Sequence, residues 1–171
     1  MLANYKDKKP IIGKSTYVSK NATIIGDVVI GDECGIWFNA VVRGDSNSIR
    51  IGNRTNIQDL CMVHVDDTHR TFVGDDVTVG HRAIIHGAKI GNRCLIGMGA
   101  VIMNGAVIGD DSIIGAGALV TENQNIPPKS LVIGFPAKPK RELTEEEIKL
   151  ILRSSKHYVE YAKEYIEMNS L

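Results

Sequence analysis

Isoleucine or valine returns at every sixth position over most of this chain. From the first rung the series runs Ile12, Val18, Ile24, Ile30, Ile36 and Val42. It slips by three positions and resumes as Ile51, Ile57 and Val63. It slips by four and gives Val73, Val79 and Ile85. One position is then dropped, and the last run is Ile90, Ile96, Ile102, Ile108, Ile114, Val120 and Ile126. Four positions after each rung the residue is usually small: Ala22, Val28, Cys34, Ala40, Cys61, Val77, Ala83, Cys94, Ala100, Ala106, Ser112 and Ala118. Glycine often follows a rung directly, as at Gly13, Gly31, Gly52, Gly74, Gly80, Gly91, Gly97, Gly109 and Gly115.

A period of six fits neither an amphipathic helix nor an alternating strand. It predicts a parallel β-helix, each hexad a short strand plus a corner and three hexads closing a triangular coil of about 18 residues. The β-branched rungs point inward and suit extended backbone. The small slot also faces in, near a corner, and the glycines are read as corner residues. The coil is predicted over 11–128, ending at Asn125-Ile126-Pro127-Pro128. A crossing segment, 129–143, follows. A C-terminal helix over 144–169 begins at a capping box of Thr144 with Glu147. Its stripe of Ile148, Leu152, Ser155, Val159, Ala162 and Ile166 packs it on the coil. The whole chain, 1–171, reads as one mainly-β domain with that single α-helix.

Composition narrows the partners. The 20 basic residues balance 20 acidic ones, so the basic excess of a nucleic-acid binder is missing. Aromatic residues are 5% of the chain, too few for base-stacking platforms. No apolar run approaches the ~20 residues of a membrane span, and the N-terminus carries no apolar signal core. Neither nucleic acid nor membrane is expected as a partner, and the expected compartment is the cytoplasm. Cys34, Cys61 and Cys94 all occupy the small inward slot, which makes them reduced core residues.

The register places candidate chemistry. Val42, Val63 and Ile85 are every third rung and share a face, so Arg43, His64 and His86 form one column. Coils stack ~4.8 Å apart, and two imidazoles at that spacing reach one metal ion. His81 follows Val79 by two and belongs to a different face. Up to ~17 Å of extended chain separates it from His86, so a neighbouring copy is the better source of a third imidazole. Three-fold closure would then make three equal sites, each shared by two chains. Three imidazoles with an open fourth position are a catalytic zinc-type ligand set, which activates bound water near neutral pH. Iron(II) and cobalt(II) also suit imidazole. Asp59 sits in the slot of His81 one coil earlier, beside Gln58; Asp45 follows Arg43; Asn56 precedes Gln58. Ordinary ion pairs at a polar subunit interface are the competing account of these groups. His69, in an insertion, and His157, in the helix, lack such register and read as surface residues.

Arg43-Gly44-Asp45, Asn56-Ile57-Gln58-Asp59, His64, Gly80-His81, His86-Gly87, Ile96-Gly97-Met98-Gly99-Ala100 and Gly134-Phe135-Pro136-Ala137-Lys138 together resemble the γ-class carbonic anhydrase family. The likeness covers residues 10 to about 165. It implies a left-handed coil and a homotrimer that reversibly hydrates CO2 to bicarbonate by a metal-bound hydroxide at the subunit interface. It implies His64, His81 and His86 as ligands of Zn2+, with Fe2+ or Co2+ as alternatives. Gln58 matches the residue that orients the bound water. Arg43, Asp45 and Asp59 match interface and pocket residues, Asn56 a polar pocket residue, and Tyr158 a tyrosine near the metal. The best-characterised branch carries two glutamates for proton transfer. Here Ser46 follows Asp45 and the loop Val65-Asp66-Asp67-Thr68-His69 is short, which predicts weak hydration unless Asp66, Asp67 or His69 substitutes. Two other functions suit the repeat: an acyl-CoA-dependent acyltransferase or thioesterase, which needs one histidine base, and a non-enzymatic metal-bearing trimeric scaffold.

Overall fold

In the computed structural model, which describes residues 1–168, each hexad forms a strand of two or three residues and a corner. The rungs stack in parallel into three columns. Val18, Ile36, Ile57, Val79, Ile96 and Ile114 form one. Ile24, Val42, Val63, Ile85, Ile102 and Val120 form the second. Ile12, Ile30, Ile51, Val73, Ile90, Ile108 and Ile126 form the third. The strands Thr23–Ile30 and Val41–Ile51 run on past a corner and so join two faces. The result is a left-handed β-helix of hexapeptide repeats with one C-terminal helix.

Burial follows the period. From Ile24 onward every rung is at most 4% exposed, while Ile12 and Val18, at the open first coil, are only partly covered. The small slot is filled without exception, including all three thiols. Burial pushes the Cys34 thiol up to about 11 and those of Cys61 and Cys94 to about 12, so none is a reactive thiolate.

The corner reading needs one correction. Left-handed backbone is carried largely by non-glycine residues such as Asn39, Leu60, Arg82 and Arg93, with φ of 57°, 61°, 61° and 50°. The rung-following glycines serve clearance instead. A Cβ on Gly97 would lie 2.4 Å from the Ala116 nitrogen of the next coil. One corner is also held by a side-chain ladder. The Oδ1 atoms of Asn53, Asp75, Asn92 and Asp110 each accept the backbone N–H one coil below, at 2.8–2.9 Å.

The coil extends beyond both predicted ends. Leu2–Ala3 already pairs in parallel with Ile24–Ile25. Beyond 128, Ser130–Gly134 pairs with Ile113–Ile114 and makes Val132 a further buried rung, so 129–143 is not a crossing segment. Pro127 and Pro128 lie at a corner, outside the ladder, where their missing donors cost nothing and the coil passes through. Ala137–Glu142 then returns antiparallel on that last strand.

The helix spans Glu145–Met168; position 169, where the sequence reading ended it, lies outside the described residues. The Thr144 Oγ1 accepts the Glu147 N–H at 3.2 Å, and the Glu147 carboxylate accepts the Thr144 N–H at 2.9 Å. Ile151, Ser155, Val159 and Ala162 are its buried face; Ile151 takes the central place assigned to Leu152, which is half-buried. Trp37 on the coil packs edge-on against Tyr158 and Tyr165, at 5.6 and 5.2 Å between ring centres. No described helix is long and apolar enough to cross a membrane.

Candidate metal centre

The register of Met62–His64 with Ile84–His86 sets His64 directly against His86, as the column predicts. Their rings are 4.9 Å apart, with His64 Nδ1 3.0 Å from His86 Nε2. The outer nitrogens have partners of their own. His64 Nε2 meets Asp45 Oδ1 at 3.1 Å, and His86 Nδ1 meets Asn104 Oδ1 at 2.5 Å. Arg43 Nη1 donates to Asp45 Oδ2 at 2.5 Å. Burial works to raise the Asp45 pKa, but the Arg43 guanidinium and the His64 ring bring the carboxyl down to about 2. Burial lowers the His64 pKa and outweighs the pull of Asp45, so the neutral ring is favoured.

The remaining predicted groups assemble one face away. His81 Nδ1 lies 2.8 Å from Asp59 Oδ2, the pairing that their shared slot implies. Gln58 is nearly fully buried; its Nε2 donates to Asn56 Oδ1 at 3.1 Å, and its Oε1 accepts the backbone N–H of His81 at 3.1 Å. Asn56 in turn donates to Thr78 Oγ1 at 3.1 Å. A cleft of about 420 Å3 opens here between coil and helix, lined by Gln58, Thr78, His81, Met98, Ser154 and Tyr158. Burial raises the Tyr158 pKa, which keeps the phenol protonated. Within one chain the two sets stay apart: among the described residues, no group of three or more His, Cys, Asp or Glu could hold a metal ion.

The bacterial transferase hexapeptide family (six repeats) matches residues 9–44, 70–102 and 87–122. A protein of Methanocaldococcus jannaschii named probable carbonic anhydrase is 54% identical over 90% of this chain and 96% of its own length. Gamma carbonic anhydrase 2, mitochondrial, of Arabidopsis thaliana is 42% identical over 99% of this chain and 63% of its own length. The chain belongs to the γ-class carbonic anhydrase family. A crystal structure of a hexapeptide transferase family protein from Anaplasma phagocytophilum matches with a TM-score of 0.93 at 38% identity, over 96% of this chain and 98% of that one.

The histidine pair of this γ-class chain fits a divalent cation on chemical grounds. The Asp45 carboxylate only accepts hydrogen bonds, so His64 Nε2 must carry the ring proton. The Asn104 carbonyl oxygen also only accepts, so His86 Nδ1 must carry the other. Both inner nitrogens are then left as lone pairs facing each other at 3.0 Å, a repulsive arrangement unless positive charge lies between them. Tetrahedral ligation at about 2.1 Å would set two such nitrogens about 3.4 Å apart, so the rings need to part only slightly.

Sequence reasoning missed Asn104 here; it named Asp66 and His69 only as possible proton-transfer substitutes and did not connect them to His86. Asn104 Nδ2 donates to Asp66 Oδ2 at 2.7 Å, and Asp66 Oδ1 is 3.1 Å from His69 Nδ1. Desolvation works to raise the Asp66 pKa; the amides and side chains of His69 and Thr68 outweigh it and hold the carboxyl well below its usual range. His69 is therefore bonded into a network that reaches His86. A signal was present, since Asn104 stands 18 residues, one coil, beyond His86. His157 packs on Tyr161 on the outer side of the helix.

Proposed function

We propose that this protein is a γ-class carbonic anhydrase that reversibly hydrates CO2 to bicarbonate, as a homotrimer with one divalent metal site at each subunit boundary. His64 and His86 of one chain and His81 of the next are the ligands, and Zn2+ is the first choice, with Fe2+ or Co2+ as alternatives. The observation that carries the reading is the His64–His86 pair, whose outer nitrogens are both committed to acceptor oxygens. A divalent ion there supplies Lewis-acid activation of a water.

The chain's own residues supply the rest. Asp45 and Arg43 hold the His64 ring, and Asp59 holds His81 through Nδ1, leaving Nε2 as a ligand atom. Gln58 is fixed at both ends of its amide by Asn56 and the His81 backbone, so its second amide hydrogen is aimed rigidly, as a group that orients water must be. Met98 and Tyr158 line the cleft beside it. CO2 hydration by stopped flow, on protein purified without oxygen and loaded with Zn2+ or Fe2+, tests the reading. Turnover should appear with metal and fall at least ~10-fold in Gln58→Ala with metal retained. No turnover with either metal would overturn it.

A second reading rests on the His81–Asp59 contact, since a carboxylate-oriented histidine in an apolar cleft also suits general-base catalysis of acyl transfer. Turnover of an acyl-CoA by metal-free protein, lost in His81→Ala, would favour that acyltransferase or thioesterase. An inert protein with full metal would favour a scaffold.

A further inference from the structure

We infer that Asn104 and Asp66 form a positioning relay that fixes which nitrogen of His86 is free to bind metal. The inference rests on the metal-centre reading above.

The two ends of an asparagine amide have nearly the same shape and opposite hydrogen-bonding roles. Asn104 could fit between its neighbours either way round; the neighbours decide. Asp66 Oδ1 accepts the backbone N–H groups of Thr68 and His69 at 2.8 and 2.6 Å and the Thr68 hydroxyl at 2.9 Å. Asp66 Oδ2 is thereby turned to Asn104 Nδ2 at 2.7 Å. A carboxylate cannot donate, so the amide must present its NH2 there and its carbonyl to His86. The carbonyl oxygen, 2.5 Å from His86 Nδ1, requires a proton on that nitrogen. The Nε2 lone pair is what remains, and it faces His64 Nδ1 at 3.0 Å. Turned round, the amide would put a donor on Nδ1, move the ring proton to Nε2 and remove the ligand atom.

The backbone leaves room for this contact at one place. Gly87 has φ +57, and a Cβ on it would lie 2.6 Å from Asn104 Oδ1. The short loop that carries Asp66 thus reaches over two coils to set the polarity of a group beside the ligand. Metal ligands whose second ring nitrogen is held this way lose about 10- to 100-fold in affinity when the holder is removed.

A polarity swap separates positioning from mere support of the loop. Zn2+ affinity is measured by chelator competition, and the Co2+ absorption spectrum reports the ligand geometry. Asn104→Leu should weaken Zn2+ binding about 10- to 100-fold and change the Co2+ bands. Asp66→Asn should also weaken binding, because the amide at 104 is then free to turn. Combining Asp66→Asn with Asn104→Asp reverses the donor and acceptor between the two positions and keeps an acceptor on His86. Affinity should return to within about threefold of the parent. A double variant no tighter than Asp66→Asn alone would overturn the relay. So would parental affinity in Asn104→Leu while His86→Ala abolishes binding. Parental affinity in His86→Ala would instead sink the metal-centre reading and the relay with it. Ring 15N shifts of the metal-free parent give a check that needs no variant: they must place the His86 proton on Nδ1, and a proton on Nε2 overturns the relay.

Discussion

Sharing of each site between chains can be tested with two inactive variants. One lacks the His81 imidazole (His81→Ala). The other lacks the stacked pair (His64→Ala with His86→Ala). His64 and His86 face each other within one chain, whereas His81 is paired with Asp59 on another face. Neither homotrimer can then assemble three imidazoles at any boundary. In a cyclic hybrid of either composition, one boundary places an intact His64/His86 pair against an intact His81. Random exchange of equal amounts makes about three quarters of the trimers hybrid, each with one site in three, so about one quarter of parental metal should return. Native mass spectrometry counts the hybrids and elemental analysis counts the metal. Hybrids present in that proportion but carrying no metal would refute the shared site. So would full metal in the His81→Ala homotrimer.

Two further substitutions probe the scaffold. Gly97→Ala forces a Cβ to within 2.4 and 2.6 Å of backbone at Ala116 and Gly115, and chemical denaturation should show a loss of about 2–3 kcal/mol. Gly99→Ala, where φ is +67° but no atom lies within 4 Å, should cost only about 1–2 kcal/mol from left-handed backbone strain. Equal losses would refute the clearance argument. Glu147 has its carboxyl lowered to about 2 by the Arg141 guanidinium and the Thr144 N–H. Its contribution is therefore present above the unfolded carboxyl pKa near ~4.3 and is lost as pH falls from there through about 2. Melting curves of parent and Glu147→Gln should differ at pH 6 and converge towards pH 2; a difference that grows with acid would contradict the assignment.

The coil was legible because its core demands one residue type at one period. A buried inward-facing strand position accepts Ile or Val, and every rung from Ile24 onward is buried as the period requires. Boundaries were less legible. Pro127-Pro128 reads as a stop, yet a corner needs no donor there, and Val132 continues the column. Glycine was misread for a related reason. Sequence shows where glycine recurs but not whether a φ angle or a neighbouring coil demands it, and at Gly97 the neighbouring coil does.

The site shows the same division. Stacking turns sequence register into contact, so His64 against His86 and Asp59 beside His81 follow from counting rungs. Asn104 also obeys the register, but its role does not, because that depends on Asp66 reaching it across 38 residues from an insertion. A loop that breaks the period carries no positional information. The break brings a second carboxylate to the column: Asp45 meets His64 at 3.1 Å, and Asp66 accepts from Asn104 at 2.7 Å. The irregular loop thus supplies a fixed acceptor for the amide beside His86. The coil supplies two imidazoles at one spacing and the loop sets the polarity of one of them; on the proposed reading, the third imidazole, on the next face, is the one a second copy of the chain would bring.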